Sequence, residues 1–78
     1  MEVKKLSELN IGQSGVLASV DGDFYLKRRL LQLGIVSGTE ISVLSISPLK
    51  NTYLVHLRDY SLALRKNSLE LVSVKVNE

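Results

Sequence analysis

Four groups of residues have types that could do chemistry: His56, Asp21 and Asp23 around Gly22, the glycines Gly12 and Gly15, and the basic run Lys27-Arg28-Arg29. A histidine supplies a general base or a metal ligand, and either role needs partners. His56 is the single histidine and the chain has no cysteine, so no zinc or iron site built on nitrogen and sulfur ligands is expected. His56 alternates with Leu54 and Arg58, the pattern of a half-exposed strand residue, and no serine stands at a spacing that pairs with it. Two carboxylates fall short of a hard-cation shell, and Asp23 reads more simply as a helix cap. Gly12 and Gly15 are followed by neither Gly-Lys-Ser/Thr nor a helix start, which excludes a P-loop. No catalytic residue, metal ligand or cofactor is expected, and the chain reads as one that works by binding.

The basic run is the densest charge in a sequence of ten Lys/Arg and eight Asp/Glu, net +2. On a helix it forms a solvated face, and with an aromatic beside it that face suits an acidic partner. Tyr25, Lys27, Arg28 and Arg29 are therefore contact candidates, together with Pro48, Lys50 and Tyr53 from a central loop. A nucleic-acid surface needs stacking aromatics, and Phe24, Tyr25, Tyr53 and Tyr60 are few and scattered. No nucleic acid is expected, and a nucleic-acid-binding small β-barrel remains the alternative.

These residues must be positioned by a thin core. A chain of 78 residues buries only about 60–65% of its unfolded surface, and with no cysteine it depends on aliphatic packing. Apolar residues make up 45% of the sequence, above the range where disorder is expected. No apolar run has the length of a signal peptide or a membrane span, and a cytoplasmic location is expected.

Leu6 to Leu9 allows one helical turn, with Ser7 as a possible cap, before Gly12. Gly15 to Val20 reads as a strand with Val16, Ala18 and Val20 on one face. Phe24 to Leu33 is the one clear helix: Leu26, Leu30 and Leu33 recur at i, i+4 and i+7, and Leu31 widens the stripe expected to be buried. Gly34 stands where an αL or Schellman ending is expected. From Thr39 the pattern is strands. Ile41 and Val43 share one face while Leu44 and Ile46 share the other, a phase slip that predicts a bulge. Tyr53, Val55 and Leu57 alternate with Leu54, His56 and Arg58. Arg58-Asp59 is a tight turn into Tyr60–Leu64, a short turn follows near 66–69, and Val72, Val74 and Val76 finish the sheet. Five strands, with a helix after the first and a one-turn connection before the last, predict a mainly β fold, a small SH3-like barrel. An OB-like barrel would carry its helix later in the chain.

Arg29-Leu30-Leu31-Gln32-Leu33-Gly34-Ile35, followed by Gly38-Thr39-Glu40-Ile41, resembles the signature of the ferrous iron transport protein A (FeoA) family. Leu6-x-x-Leu9-x-x-Gly12-x-x-Gly15, Ser47-Pro48 and Leu62-Ala63-Leu64-Arg65-Lys66 are similar in the same order. The resemblance covers Leu6 to Val74. It implies one FeoA-type SH3-like domain over 1–78, an accessory of bacterial ferrous iron uptake that acts with the membrane permease FeoB, which carries a GTPase domain. The same fold ends some metal-dependent repressors, so a metal-responsive regulatory module is a further alternative. No helix-turn-helix segment accompanies the barrel here.

The motif positions Leu9, Gly12, Gly15, Leu30, Leu33, Gly34, Gly38, Leu64 and Arg65 read mainly as a fold signature. Arg65 is expected to satisfy carbonyls at the barrel mouth. Two departures stand out. Ser37 occupies a frequent proline position, which should loosen that turn, and Arg58-Asp59-Tyr60 replaces a glycine turn, which allows a longer or bulged hairpin.

Overall fold

The structure, a computed structural model, describes residues 2–76. In chain order it comprises β1 (Glu2–Lys5), a 3₁₀ turn (Leu6–Glu8), β2 (Ser14–Val20), α1 (Phe24–Gln32), β3 (Glu40–Ile46), β4 (Thr52–Leu57), β5 (Tyr60–Arg65), α2 (Lys66–Leu69) and β6 (Val72–Val76). The strands form one antiparallel sheet in the order β1-β6-β2-β3-β4-β5. Strands β2 to β6 are the five read from the sequence, in an SH3-like order. Strand β1 is a sixth, laid on the free edge of β6. Its one apolar side chain, Val3, is exposed. It is therefore held by main-chain pairing (Glu2↔Val76 to Lys5↔Ser73) rather than by an alternating pattern.

The interior is aliphatic. Ile41, Val43, Val55, Leu57, Val72 and Val74 are fully buried along the strands, and Leu6 and Leu69 are buried on the 3₁₀ turn and α2. The phase slip in β3 is a register shift between Val43 and Ser45, which leaves Leu44 exposed and curls the strand. A second shift, between Leu17 and Ser19, revises the face expected of β2. Gly15 and Leu17 point inward, Val16 points out, and Val20 regains the core after the shift.

Several local devices hold the turns. The 3₁₀ turn is closed by the Glu8 carboxylate, which accepts the Lys5 backbone N–H at 2.8 Å, and Ser7 makes no cap. Ser37, where a looser turn is expected, gains a tie that proline would lack: its hydroxyl donates to the Ala18 carbonyl at 3.1 Å. The β4–β5 hairpin is neither longer nor bulged: Leu57 pairs with Tyr60 across the two residues Arg58 and Asp59, and Arg58 takes a φ of 54°.

Helix α1 is defined by its ends. Asp23 caps it, its carboxylate accepting the Leu26 N–H at 2.8 Å. At the other end Gly34 donates to Leu31 O and Ile35 donates to Leu30 O, each at 3.0 Å, the two bonds of a Schellman motif. Gly34 has a φ of 94°, and a Cβ there would run into the Tyr60 hydroxyl. That hydroxyl donates to the Leu33 carbonyl at 2.6 Å, so β5 itself satisfies the last helical turn. Only Leu30 on α1 is fully buried; Leu26 and Leu33 pack in part. Leu31 does not widen the stripe but faces solvent.

Candidate functional site

His56 is exposed on β4, opposite Ser61 on β5, with its Nδ1 3.3 Å from Ser61 Oγ. Sequence spacing alone does not reveal this pair, since only the hairpin register brings residues five apart face to face. It is a cross-strand polar contact on an open surface. No further hydrogen bond among the described residues orients the imidazole, which a Ser–His dyad requires. The neighbouring hollow, about 400 Å³, is lined by Glu40, Ser42, His56 and Arg58 among others. Among the described residues no group of three or more His, Asp or Glu side chains stands together as a metal site. No helix among them is long and apolar enough to cross a membrane.

The outer side of α1 carries the strongest surface signal. Phe24 is 77% exposed, Tyr25 75% and Leu31 56%. Phe24, Lys27, Arg28 and Leu31 follow i, i+3, i+4 and i+7 and line one shallow apolar depression; Tyr25, Arg28, Arg29 and Gln32 line a second beside it. The helix holds three cations and no acid, and among the described residues no ion pair involves them; the Lys4–Glu2 pair lies elsewhere. Large apolar groups in water beside unneutralised cations form a surface that gains by covering itself with an acidic, partly apolar partner.

The loop candidates divide. Ser47 ties the β3–β4 loop, its hydroxyl accepting the backbone N–H groups of Asn51 (3.2 Å) and Thr52 (3.1 Å). The loop therefore presents Pro48, Leu49 and Lys50 in a fixed shape, all exposed. Tyr53 is removed from the contact set. It is 4% exposed, and its hydroxyl donates to the Ser7 carbonyl at 2.9 Å, so it anchors the 3₁₀ turn to β4. Among the described residues no hydrogen bond joins the loop to α1; Tyr25, Lys27, Arg28 and Arg29 lie together on the helix, and Pro48 and Lys50 lie on the loop.

The motif residues sit mostly inside the fold. Leu9, Leu30 and Leu64 are buried and Leu33 is partly so, while Gly12 and Gly38 occupy positive-φ turns. Gly15 faces β6 so closely that a Cβ would lie 3.0 Å from the Lys75 carbonyl oxygen. Arg65 differs. It is exposed, and its guanidinium makes no hydrogen bond to a carbonyl among the described residues. With Arg29 it lines a groove of about 540 Å³ between α1 and β5.

Residues 4–76 match the model of the FeoA domain. A curated relative from Porphyromonas gingivalis, an Fe(2+) transport protein A/Fe(2+) transporter FeoB fusion protein, is 31% identical over 92% of this chain, which spans 8% of that protein. The solution structure of the FeoA protein from Chlorobium tepidum is 34% identical, with a TM-score of 0.86, covering 94% of this chain and 70% of that one. The zinc complex of Stenotrophomonas maltophilia FeoA, a procaryotic SH3 domain protein, is 32% identical with a TM-score of 0.76, covering 90% and 87%.

Proposed function

The chain belongs to the FeoA domain family, whose members are associated with ferrous iron transport, and from that premise we propose that it is a cytosolic accessory of bacterial ferrous iron uptake that binds the cytoplasmic side of a FeoB-type permease. The observation that carries this reading is the relative in which both functions share one polypeptide. Fusion holds two modules at high effective concentration, an arrangement that serves function when the two act on each other. The surface chemistry is in keeping with such a role, because α1 offers exposed aromatic and cationic groups of the kind that anchor protein interfaces. The domain acts by contact, regulating or assembling the permease, and supplies no catalytic group of its own.

Binding of the purified chain to detergent-solubilised permease, in nucleotide-free, GDP-bound and GTP-analogue-bound states, tests this. Saturable binding is expected, weakened about tenfold or more by Arg28→Glu. Absence of capture in all three states overturns it. Mixed RNA and DNA serve as the control arm: affinity that falls steeply with added salt would transfer the reading to a nucleic-acid-binding barrel.

A further inference from the structure

Strand β5 ends the sheet, so among the described residues one of its sides has no partner strand. Which groups face that side follows from the hairpin register. Leu57 pairs with Tyr60, Val55 with Leu62 and Tyr53 with Leu64, and the ladder continues where the Lys66 N–H donates to the Asn51 carbonyl at 3.0 Å. Even-numbered residues thus direct their main-chain groups at β4. Ser61 and Ala63 direct theirs outward, and no backbone bond among the described residues occupies them.

The groove between α1 and β5 runs along this edge. Consecutive residues Leu62, Ala63, Leu64 and Arg65 all line it. Successive strand residues point to opposite faces, so only a groove at the strand's edge meets all four. Its helical wall offers Leu26 and Leu33, both partly buried, and Arg29. Arg29 and Arg65 are its charged lining residues, with no acid among the rest. Helix α1 touches β5 at one end, through the Tyr60–Leu33 hydrogen bond, and beyond that contact the groove leaves about 540 Å³ open beside Leu62 to Arg65. An open main-chain edge facing an apolar helix wall is the arrangement used to capture an extended peptide as an added strand.

We propose that the α1–β5 groove binds an extended, acidic-and-apolar segment of a partner protein as an additional strand on β5. The segment pairs with the outward N–H and C=O groups of Ser61 and Ala63. Its apolar side chains rest on Leu26, Leu33 and Leu62, and its carboxylates meet Arg29 and Arg65. The inference deepens the permease reading, and rests on it only for which protein supplies the segment.

The probe is a synthetic peptide alternating Leu or Val with Asp or Glu, followed by amide NMR. Specific shifts at Ser61 and Ala63, with hydrogen exchange at those amides slowed about tenfold, are expected. N-methylation of alternate peptide residues, which removes strand donors without touching the protein, should abolish both, and so should Arg65→Glu. Ala63→Pro should also abolish binding while keeping the fold, because it removes an outward N–H and no ladder bond. Shifts confined to Phe24, Tyr25 and Leu31, equal binding of the N-methylated peptide, or no binding at all would each overturn the proposal. Failure here is separable from failure of the permease reading: a permease that captures the wild type and Ala63→Pro equally removes the groove assignment and leaves the partner.

Discussion

Strand β4 and helix α1 are both rich in large apolar side chains, and they use them differently. In β4, Tyr53, Val55 and Leu57 all enter the core, while the outward positions are left to Leu54 and His56. In α1, Leu30 alone is fully buried, and Phe24, Tyr25 and Leu31 stand in water. The strand is held along its whole length by ladders on both sides. The helix is held at its ends, by the Asp23 cap and by Gly34 under Tyr60, with Leu30 as its central anchor. Apolar surface that the fold does not consume is surface left for something else, and here it coincides with the basic run.

The comparison predicts the largest loss of stability from a barrel position. Leu57→Ala removes a fully buried side chain between two ladders and should cost about 2–5 kcal/mol. Chemical denaturation would show this as a lower midpoint with an unchanged slope. A cost below 1 kcal/mol, in a scale where exposed sites lie within about 0.5 kcal/mol, would place Leu57 outside the core and break the contrast.

Next comes the joint between the two regions. Gly34→Ala must hold a Cβ at positive φ and displace the Tyr60 hydroxyl. The first effect costs roughly 1–2 kcal/mol, and the lost hydrogen bond about 1 kcal/mol more. Tyr60→Phe alone should cost about 1 kcal/mol. The two changes should not add: with the hydroxyl gone, the alanine meets less obstruction, and a double-mutant cycle should show coupling of roughly 0.5 kcal/mol or more. Additive losses would mean that Tyr60 does not clamp the helix.

How much of this was legible beforehand follows the range of the interaction. The helix ends, the β3 bulge and the two-residue hairpin are local: cap, glycine, phase slip and turn residues all lie within a few positions of what they control. Strand β1 left no signal, because main-chain pairing needs no side-chain pattern. The alternation Tyr53-Val55-Leu57 did carry the inward position of Tyr53, yet an aromatic beside a loop reads as a contact residue when its phase is not weighed. Leu31 misled for a different reason: a helix resting on one buried leucine has a narrow buried stripe, and periodicity alone does not give its width. The groove beside β5 is non-local, since nothing in Leu62-Ala63-Leu64-Arg65 says that this strand ends the sheet. Its cation Arg65 belongs to a sequence motif that points to the barrel mouth, whereas the structure places it, exposed, in the groove.

A smaller effect separates local from global stability. Asp23→Ala removes the side-chain acceptor of the Leu26 N–H and should cost about 1 kcal/mol. If α1 is an appendage held at its ends, amide exchange in its first turns should accelerate while amides of β3, β4 and β6 hardly change. Uniform acceleration would mean that the helix and the barrel unfold as one unit.

The smallest effect on stability is the most informative about function. Phe24→Ser and Leu31→Ser alter side chains that already contact water over most of their surface, so each should change stability by no more than about 0.5 kcal/mol. A serine costs a helix interior slightly more than leucine does, by a few tenths of a kcal/mol at most. Were these side chains only a by-product of composition, permease capture would be as indifferent to them as the fold is. If the face is used, the double substitution should weaken capture about tenfold or more while the denaturation midpoint stays in place. Arg28→Lys, which keeps the charge and loses the planar fork, then divides the remaining binding between simple attraction and directed hydrogen bonding. Unchanged capture by all three variants would leave the outer face of α1 without a role, and would move the contact to the groove on its other side.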